Sequence, residues 1–217
     1  DRVREALNVQ SGVTAAGATN HLPGDGGHML QSYAATVESA GAVSGNLAVD
    51  AFRLAATPGY FEALGVDLVA GRTFTDEDRP NAMRVAVISE GFARAFQLDP
   101  RELVGRRVNV GFSESGVLAE IVGVVRDVRM RGPESPAATA VYLPFSQWPV
   151  SSTAFLVAQG RASAAHMVAV IRAAVAQVDG TIPLYNVRTF GDVREEYLAA
   201  RRFTMRVMLT FGLVAAS

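Results

Sequence analysis

The sequence contains no cysteine and no lysine. Without cysteine there are no disulfides, no thiolate nucleophile and no thiolate metal site. Without lysine there is no Schiff-base amine, no Ser-x-x-Lys nucleophile and no phosphate-binding P-loop lysine. All 20 basic residues are arginines, which a biased genome composition explains more simply than function does. Neither charge sign is in excess: the formal net charge is -1, so the general electrostatic case for a nucleic-acid partner is missing. Charged residues make up only 19%. A bilayer crossing needs about 20 predominantly apolar residues, and the run from Val207 to Ser217 supplies roughly half of one. No basic-then-apolar leader opens the chain, which starts at Asp1 rather than Met, so it reads as an excerpt from a longer one.

What is present is enough for a large core: 217 residues, 49% of them apolar. Arg2 to Gln10 reads as a short amphipathic helix with Val3, Ala6 and Leu7 on one side and Arg4 and Glu5 outward. Gly12 breaks it, and Val13 to Thr19 reads as a strand. His21 to Gly27 is a loop, followed by weak strand signals around a turn at Gly41–Gly45. Thr57 to Gly65 is the best-punctuated helix, with Thr57 as cap, Pro58 at the first helical position and Gly65 as terminator. A strand over Val66–Val69, an acidic turn at Asp76-Glu77-Asp78 and a buried strand over Val85–Ile88 come next. Ser89 caps a helix whose apolar face is Phe92, Ala95 and Phe96, and Asp99-Pro100 stops it. Arg107–Val110, Glu120–Val128 with Gly123 marking a bulge or a close backbone approach, and Val141–Leu143 complete a β-rich middle. Beyond Pro149 the pattern changes to a strand over Ala154–Val157, a helix over Ala164–Val178, a strand over Pro183–Val187 and a helix over Phe190–Arg201.

The economical architecture is α+β in two lobes. A discontinuous α+β lobe is built from residues 1–24 and 150–200, and a β-rich lobe, residues 25–149, is inserted between its halves. Residues 201–217 on their own read as an apolar C-terminal helix docked on the domain, in preference to the start of a transmembrane helix.

Catalytic chemistry finds little support. His21 and His28 flank a glycine-rich loop, and His166 falls in the first turn of a helix; loop histidines are commoner than metal ligands. Gly111 to Gly116 nearly spells a nucleophile elbow, but Ser115 stands at the second glycine position and the context is that of a hairpin loop. The acidic turn has no apolar shell to raise a carboxyl pKa, so a solvated or helix-capping turn is the preferred reading. Gly24 to Gly27 lacks the spacing of a phosphate cradle. The expectation is a chain that is not an enzyme and has no cofactor and no metal.

The residues carry a resemblance. Ala56-Thr57-Pro58-Gly59-Tyr60-Phe61-Glu62-Ala63-Leu64-Gly65-Val66 is followed by Ala70-Gly71-Arg72-Thr73-Phe74 and the acidic turn. Then come Val85 to Ser89 with Phe92-Ala93-Arg94, Val104 to Val108, Ile121 to Val128 and Val141 to Pro144. In that order and spacing they resemble the extracytoplasmic, periplasmic core domain of MacB-like ABC transporter permeases, in the FtsX-type permease superfamily. Ala200-Arg201-Arg202-Phe203 before an apolar run resembles the entry into the second transmembrane helix of such permeases, and this reverses the docked-helix preference: residues 201–217 become the start of a truncated transmembrane helix. Arg201, Arg202 and Arg206 are accordingly assigned as the membrane boundary, where arginines snorkel to headgroups. The positive-inside tendency places such a cluster on the cytoplasmic side, against this assignment.

The resemblance implies that the discontinuous α+β lobe is porter-like, and that the protein sits in the inner membrane with this domain on the periplasmic or extracytoplasmic face. It implies an ABC ATPase subunit or domain as partner, a second permease copy, a periplasmic adaptor in some systems, and attachment to the membrane through flanking helices. Its implied role is to receive ATP-driven motion of transmembrane helices and use it in efflux or in handling envelope substrates. Two other readings compete. One is a periplasmic module binding a small molecule or lipid in the interlobe cleft. The other is a soluble hydrolase using Asp76 and His28.

Overall fold

The computed structural model describes residues 2–24, 30–38, 48–110, 116–132, 135–148, 154–193 and 195–196. Helix α1 (Arg2–Asn8) leads into β1 (Val13–Thr19), then β2 (Ser32–Val37), β3 (Val49–Ala56) and α2 (Tyr60–Leu64). After β4 (Leu68–Gly71) come β5 (Val85–Ser89), α3 (Glu90–Ala95), α4 (Pro100–Leu103), β6 (Arg107–Val110) and β7 (Val117–Val125). β8 (Ala140–Pro144), β9 (Phe155–Gly160) and α5 (Ala164–Val178) follow. The class is α+β, as the sequence predicts.

Among the described residues all nine strands belong to one mixed sheet, and part of it closes on itself. Strands β2, β6, β7, β5, β8 and β3 are neighbours in that order, and β3 pairs again with β2. The result is a six-stranded barrel without free edges in the ring. The β3–β8 and β5–β7 pairs are parallel and the remaining ring pairs antiparallel. Strand β7 is long enough to be shared: Val117–Glu120 pair with β6, and Gly123–Val125 pair with β4. Opposite β5 the register skips from Ala86↔Ile121 to Val87↔Gly123, so the expected bulge is real and Val122 is its extra residue.

Alternation along the strands sorts side chains into two cores. Ala35, Ala51, Ala86, Ala119 and Ile121, with Val108, come from five of the ring strands and share one buried cluster, the barrel interior. The small residues suit so narrow a ring. Phe92 of α3 and Leu103 of α4 are in that cluster too. The other set, including Leu54, Val87 and Tyr142, faces out of the ring and is covered by Tyr60 and Phe61 of α2 and by Phe74. Phe61 stands edge-on to Tyr142 with ring centroids 4.9 Å apart. On β3, Arg53 lies between the rings of Tyr33 and Trp148, at 4.0 and 4.4 Å from their centroids.

The two ends of the described chain meet outside the barrel. β1 pairs along its length with β9, from Val13↔Gly160 to Thr19↔Phe155, and touches β3 only at Thr19↔Ala56. Leu7, Ala16 and Ala174 are buried at the centre of a separate small cluster shared by α1, β1 and α5. The β1 layer is pressed onto α2 at Gly17, where a Cβ would stand 2.5 Å from both the Cα and N of Tyr60.

Several local expectations are corrected. The helix predicted from Thr57 begins at Tyr60, because Gly59 takes the N-cap with φ 79°. Thr57 instead accepts the Ala18 amide on its hydroxyl, tying β1 to α2. Gly65 does close the helix: its own N–H and that of Val66 fold back to Glu62 and Phe61. That return occupies Val66, so β4 starts at Leu68 rather than at Val66. Ala93, not Ala95, is the buried alanine of α3, and Asp99-Pro100 opens α4 as well as ending what precedes it. Strand β7 runs from Val117, earlier than expected, and β9 lies one to three residues later than expected. Pro183–Val187 is not a strand: Pro183 has no N–H to donate, and Asn186 sits at φ 55° in the left-handed region. The Gly41–Gly45 turn lies outside the described residues.

Candidate functional site

Helix α5 forms as its sequence predicts: Ser163 accepts the His166 amide at the N-cap, and apolar residues recur at helical spacing. Its buried stripe, Ala174 and Val175 with Val170 and Ile171 partly covered, lies against Val3, Ala6 and Leu7 of α1. The two helices run antiparallel: the chain leaving α1 meets the chain entering α5, where the Arg161 amide donates to the Gly12 carbonyl at 3.2 Å and Val13 pairs with Gly160. Asp179, just past the end of α5, has its carboxyl held below the ordinary value by the hydroxyl and amide of Thr181, and in smaller part by the guanidinium of Arg2 at the start of α1. The first residues of α1 and the last of α5 therefore lie at one end of the domain.

Downstream of α5, Ile182, Tyr185 and Phe190 are exposed, Tyr185 to 81%. Thr189 and Asp192 then exchange hydrogen bonds, each side chain accepting the other's amide. This capping box opens the helix expected from Phe190, of which residues 190–193 and 195–196 are described. Arg201, Arg202 and Arg206 lie outside the described residues. Among those described, no helix is long and apolar enough to cross a membrane.

The acidic turn differs most from expectation. Asp78 is buried, 6% exposed, rather than solvated. Its carboxylate accepts two bonds from the Arg72 guanidinium at 2.9 Å and the Thr75 amide at 2.9 Å. Burial alone would push its pKa up, but the Arg72 and Thr75 bonds outweigh it and hold the carboxyl below its ordinary value. The same Asp78 bond, set against the cost of burial, pushes the Arg72 guanidinium further up. Such a group stays ionised and anchored; it is not an acid–base catalyst.

Arg4 is also corrected. It is buried, not outward, because it shares a helical face with Leu7 three residues on. Its Nη2 meets Oδ1 of Asp76 at 2.5 Å, tying α1 to the acidic turn. Nothing local to either residue marks this pair; only the arginine in an otherwise apolar helix stripe hints at a distant carboxylate.

The remaining candidates do not converge. His166 is exposed and His21 half-buried in different parts of the fold, and His28 lies outside the described residues. Among the described residues no three of His, Asp and Glu gather as metal ligands. Residues 111–115 of the near-elbow lie outside the description, between β6 and β7, which pair antiparallel up to Val110↔Val117. Gly24 to Gly27 is only described at Gly24, whose amide donates to the Met130 carbonyl. An open surface depression of about 200 Å³ is lined by Met83, Arg84, Arg107, Leu118, Ala119 and Glu120. It lies beside the β5–β7–β6 part of the ring, away from the junction with β1.

Comparison with known proteins agrees with this architecture. The family of MacB-like periplasmic core domains matches residues 5–180. The periplasmic region of MacB from Actinobacillus actinomycetemcomitans superposes with a TM-score of 0.54 at 18% identity, covering 82% of this chain and 73% of that one. The extracellular domain of the noncanonic ABC-type transporter YknZ from Gram-positive bacteria also gives a TM-score of 0.54, at 20% identity, covering 87% of this chain and 88% of that one. At such identities the likeness is one of fold. A search of curated proteins returns no match.

Proposed function

We propose a mechanical role for this chain, which belongs to the MacB-like periplasmic core domain family and is thus the extracytoplasmic domain of an ABC transporter permease. The family is one of permease domains, not enzymes. In the proposed role the domain receives motion of flanking transmembrane helices, driven by an ATPase on the other side of the membrane, and turns it into work on an envelope substrate.

The observation that carries this reading is the antiparallel packing of α1 on α5. It brings the chain in and out at one end, as a domain inserted between two membrane helices requires. Push or rotation at that end reaches both helices at once, and through β1 and β9 the whole sheet. The division into residues 1–24 with 150–200, and an inserted 25–149, belongs to this proposal, as does a membrane boundary at Arg201, Arg202 and Arg206. So do a second permease copy and the ATPase partner.

The test uses the complete permease with its ATPase. The chain has no cysteine, so Arg172→Cys on the exposed face of α5 gives a single reporter here for a membrane-impermeant maleimide. Labelling from the extracytoplasmic side is expected at a rate that differs between nucleotide-free and vanadate-trapped states. A flexible Gly/Ser insertion after Asp179 should abolish that difference while leaving ATP turnover intact. A labelling rate indifferent to nucleotide in the unmodified protein would overturn the reading.

A further inference from the structure

We propose that residues 72–84 form a stiff strap coupling the position of α1 to the outer face of the barrel at Met83 and Leu118, with the Arg4–Asp76 ion pair as its joint. The inference deepens the mechanical reading, since α1 is the element that motion would reach first, but it stands on contacts within this chain.

At the near end, the joint cannot slip at low cost. The Arg4 guanidinium is buried, its Nε has no partner among the described residues, and Asp76 is its counter-charge. Moving α1 without the strap would strand that buried charge. The strap itself is knotted. Asp78 holds Arg72 and the Thr75 amide, and its own amide donates to the Thr75 carbonyl at 3.1 Å. Thr73 donates to Glu62 of α2 at 2.9 Å, and Phe74 is buried beside Phe61. Further on, Arg79 and Ala82 donate their amides within the strap, to Glu77 and Arg79.

The far end is clipped to the turn after β8. The Ser146 hydroxyl donates to the Asp78 carbonyl at 2.6 Å, and Gln147 Nε2 donates to the carbonyls of Arg79 and Met83 at 3.1 and 2.9 Å. Gln147 Oε1 accepts the Val85 amide, so one side chain joins the strap to the start of β5. Met83 and Arg84 leave this clip directly into the 200 Å³ depression, opposite Leu118 and Arg107. A displacement of α1 thus has a short polar route to an exposed face on the barrel: Arg79 Nε donates to the Asp76 carbonyl at 3.4 Å, and Gln147 Nε2 donates to the carbonyls of Arg79 and Met83.

The experiment reads the Met83 ε-methyl by NMR and amide hydrogen exchange in the 217-residue chain. Arg4→Gln and Asp76→Asn are each expected to shift the Met83 methyl signal. Each should also speed exchange at Asp78, Arg79 and Ala82 by about tenfold relative to amides of β5 and β7. The charge-reversed pair, Arg4→Glu with Asp76→Arg, should restore both. An unmoved Met83 signal with unchanged exchange would overturn the proposal, and so would exchange rising by one common factor in the strap, β5 and β7. If Arg4→Gln does not fold, Asp76→Asn carries the test alone, because Asp76 is largely exposed. None of these readouts involves nucleotide, so failure here is distinguishable from failure of the transport reading.

Discussion

Replacing Asp78 with asparagine keeps the shape of the acidic turn and removes its charge, and the consequences are specific. The carboxylate accepts two bonds from Arg72 and one from the Thr75 amide, all at 2.9 Å, from a site that is 6% exposed. Bonds to a charged group contribute more than neutral ones, but the Arg72 side chain is 45% exposed and partly screened. A net loss of about 2 kcal/mol at neutral pH follows for Asp78→Asn. The pH dependence separates this from a simple packing defect. The folded carboxyl titrates below the ordinary aspartate value of 3.8. Its stabilisation is therefore complete above that value and is lost as pH falls through the lower, folded one. Urea unfolding followed by circular dichroism, from pH 7 down through pH 3, should show wild type and Asp78→Asn converging only at the acid end. A loss under about 0.5 kcal/mol at neutral pH, or a difference constant down the whole series, would refute the account of the turn as a charged anchor.

Two further substitutions probe the packing. Gly17→Ala places a methyl 2.5 Å from the Tyr60 backbone, where neither β1 nor α2 can give, and should cost about 3 kcal/mol, read as a lower urea midpoint with unchanged slope. Tyr142→Phe removes a buried hydroxyl with no hydrogen-bond partner among the described residues and should be neutral or stabilising by up to about 1 kcal/mol. Burial, with Tyr60 and Asp127 nearby, pushes the Tyr142 pKa well above the ordinary 10.0. Ionising this phenol therefore penalises the folded state: the penalty is absent below pH 10 and stability is lost as pH rises above it. Ultraviolet titration of the wild type should find Tyr142 among the tyrosines that ionise only on alkaline unfolding, and Tyr142→Phe should lower the amplitude of that step.

What could be read in the chain was local. Ser89 before an apolar helix, Gly65 after one, and the 15-residue periodicity of α5 each act within a turn or two, and the structure has them where expected. Closure of the barrel was not legible, because the β2–β3 and β2–β6 pairings join strands whose alternation says nothing about partners. The polar joints were hidden for the same reason. Asp78 sits in an acidic triplet that looks solvated until Ser146 and Gln147, far along the chain, close over it. Arg4 looked outward because burying an arginine is sensible only with Asp76 in place. Pro183–Val187 failed in the opposite sense: its composition suits a strand, yet Pro183 and Asn186 deny it a regular ladder. The family was legible because its motifs mark turns and caps, Gly59, Gly65, Gly71 and Ser89 among them, which the fold needs at fixed spacing.

The central claim is that this domain moves with the ATPase cycle. The most direct measurement is the distance between nitroxides at Arg172→Cys on the two copies of a complete permease dimer, by pulsed electron paramagnetic resonance. The account predicts distance distributions that differ between the nucleotide-free and the ATP-trapped transporter. Superimposable distributions in the two states, with ATP turnover intact, would contradict it.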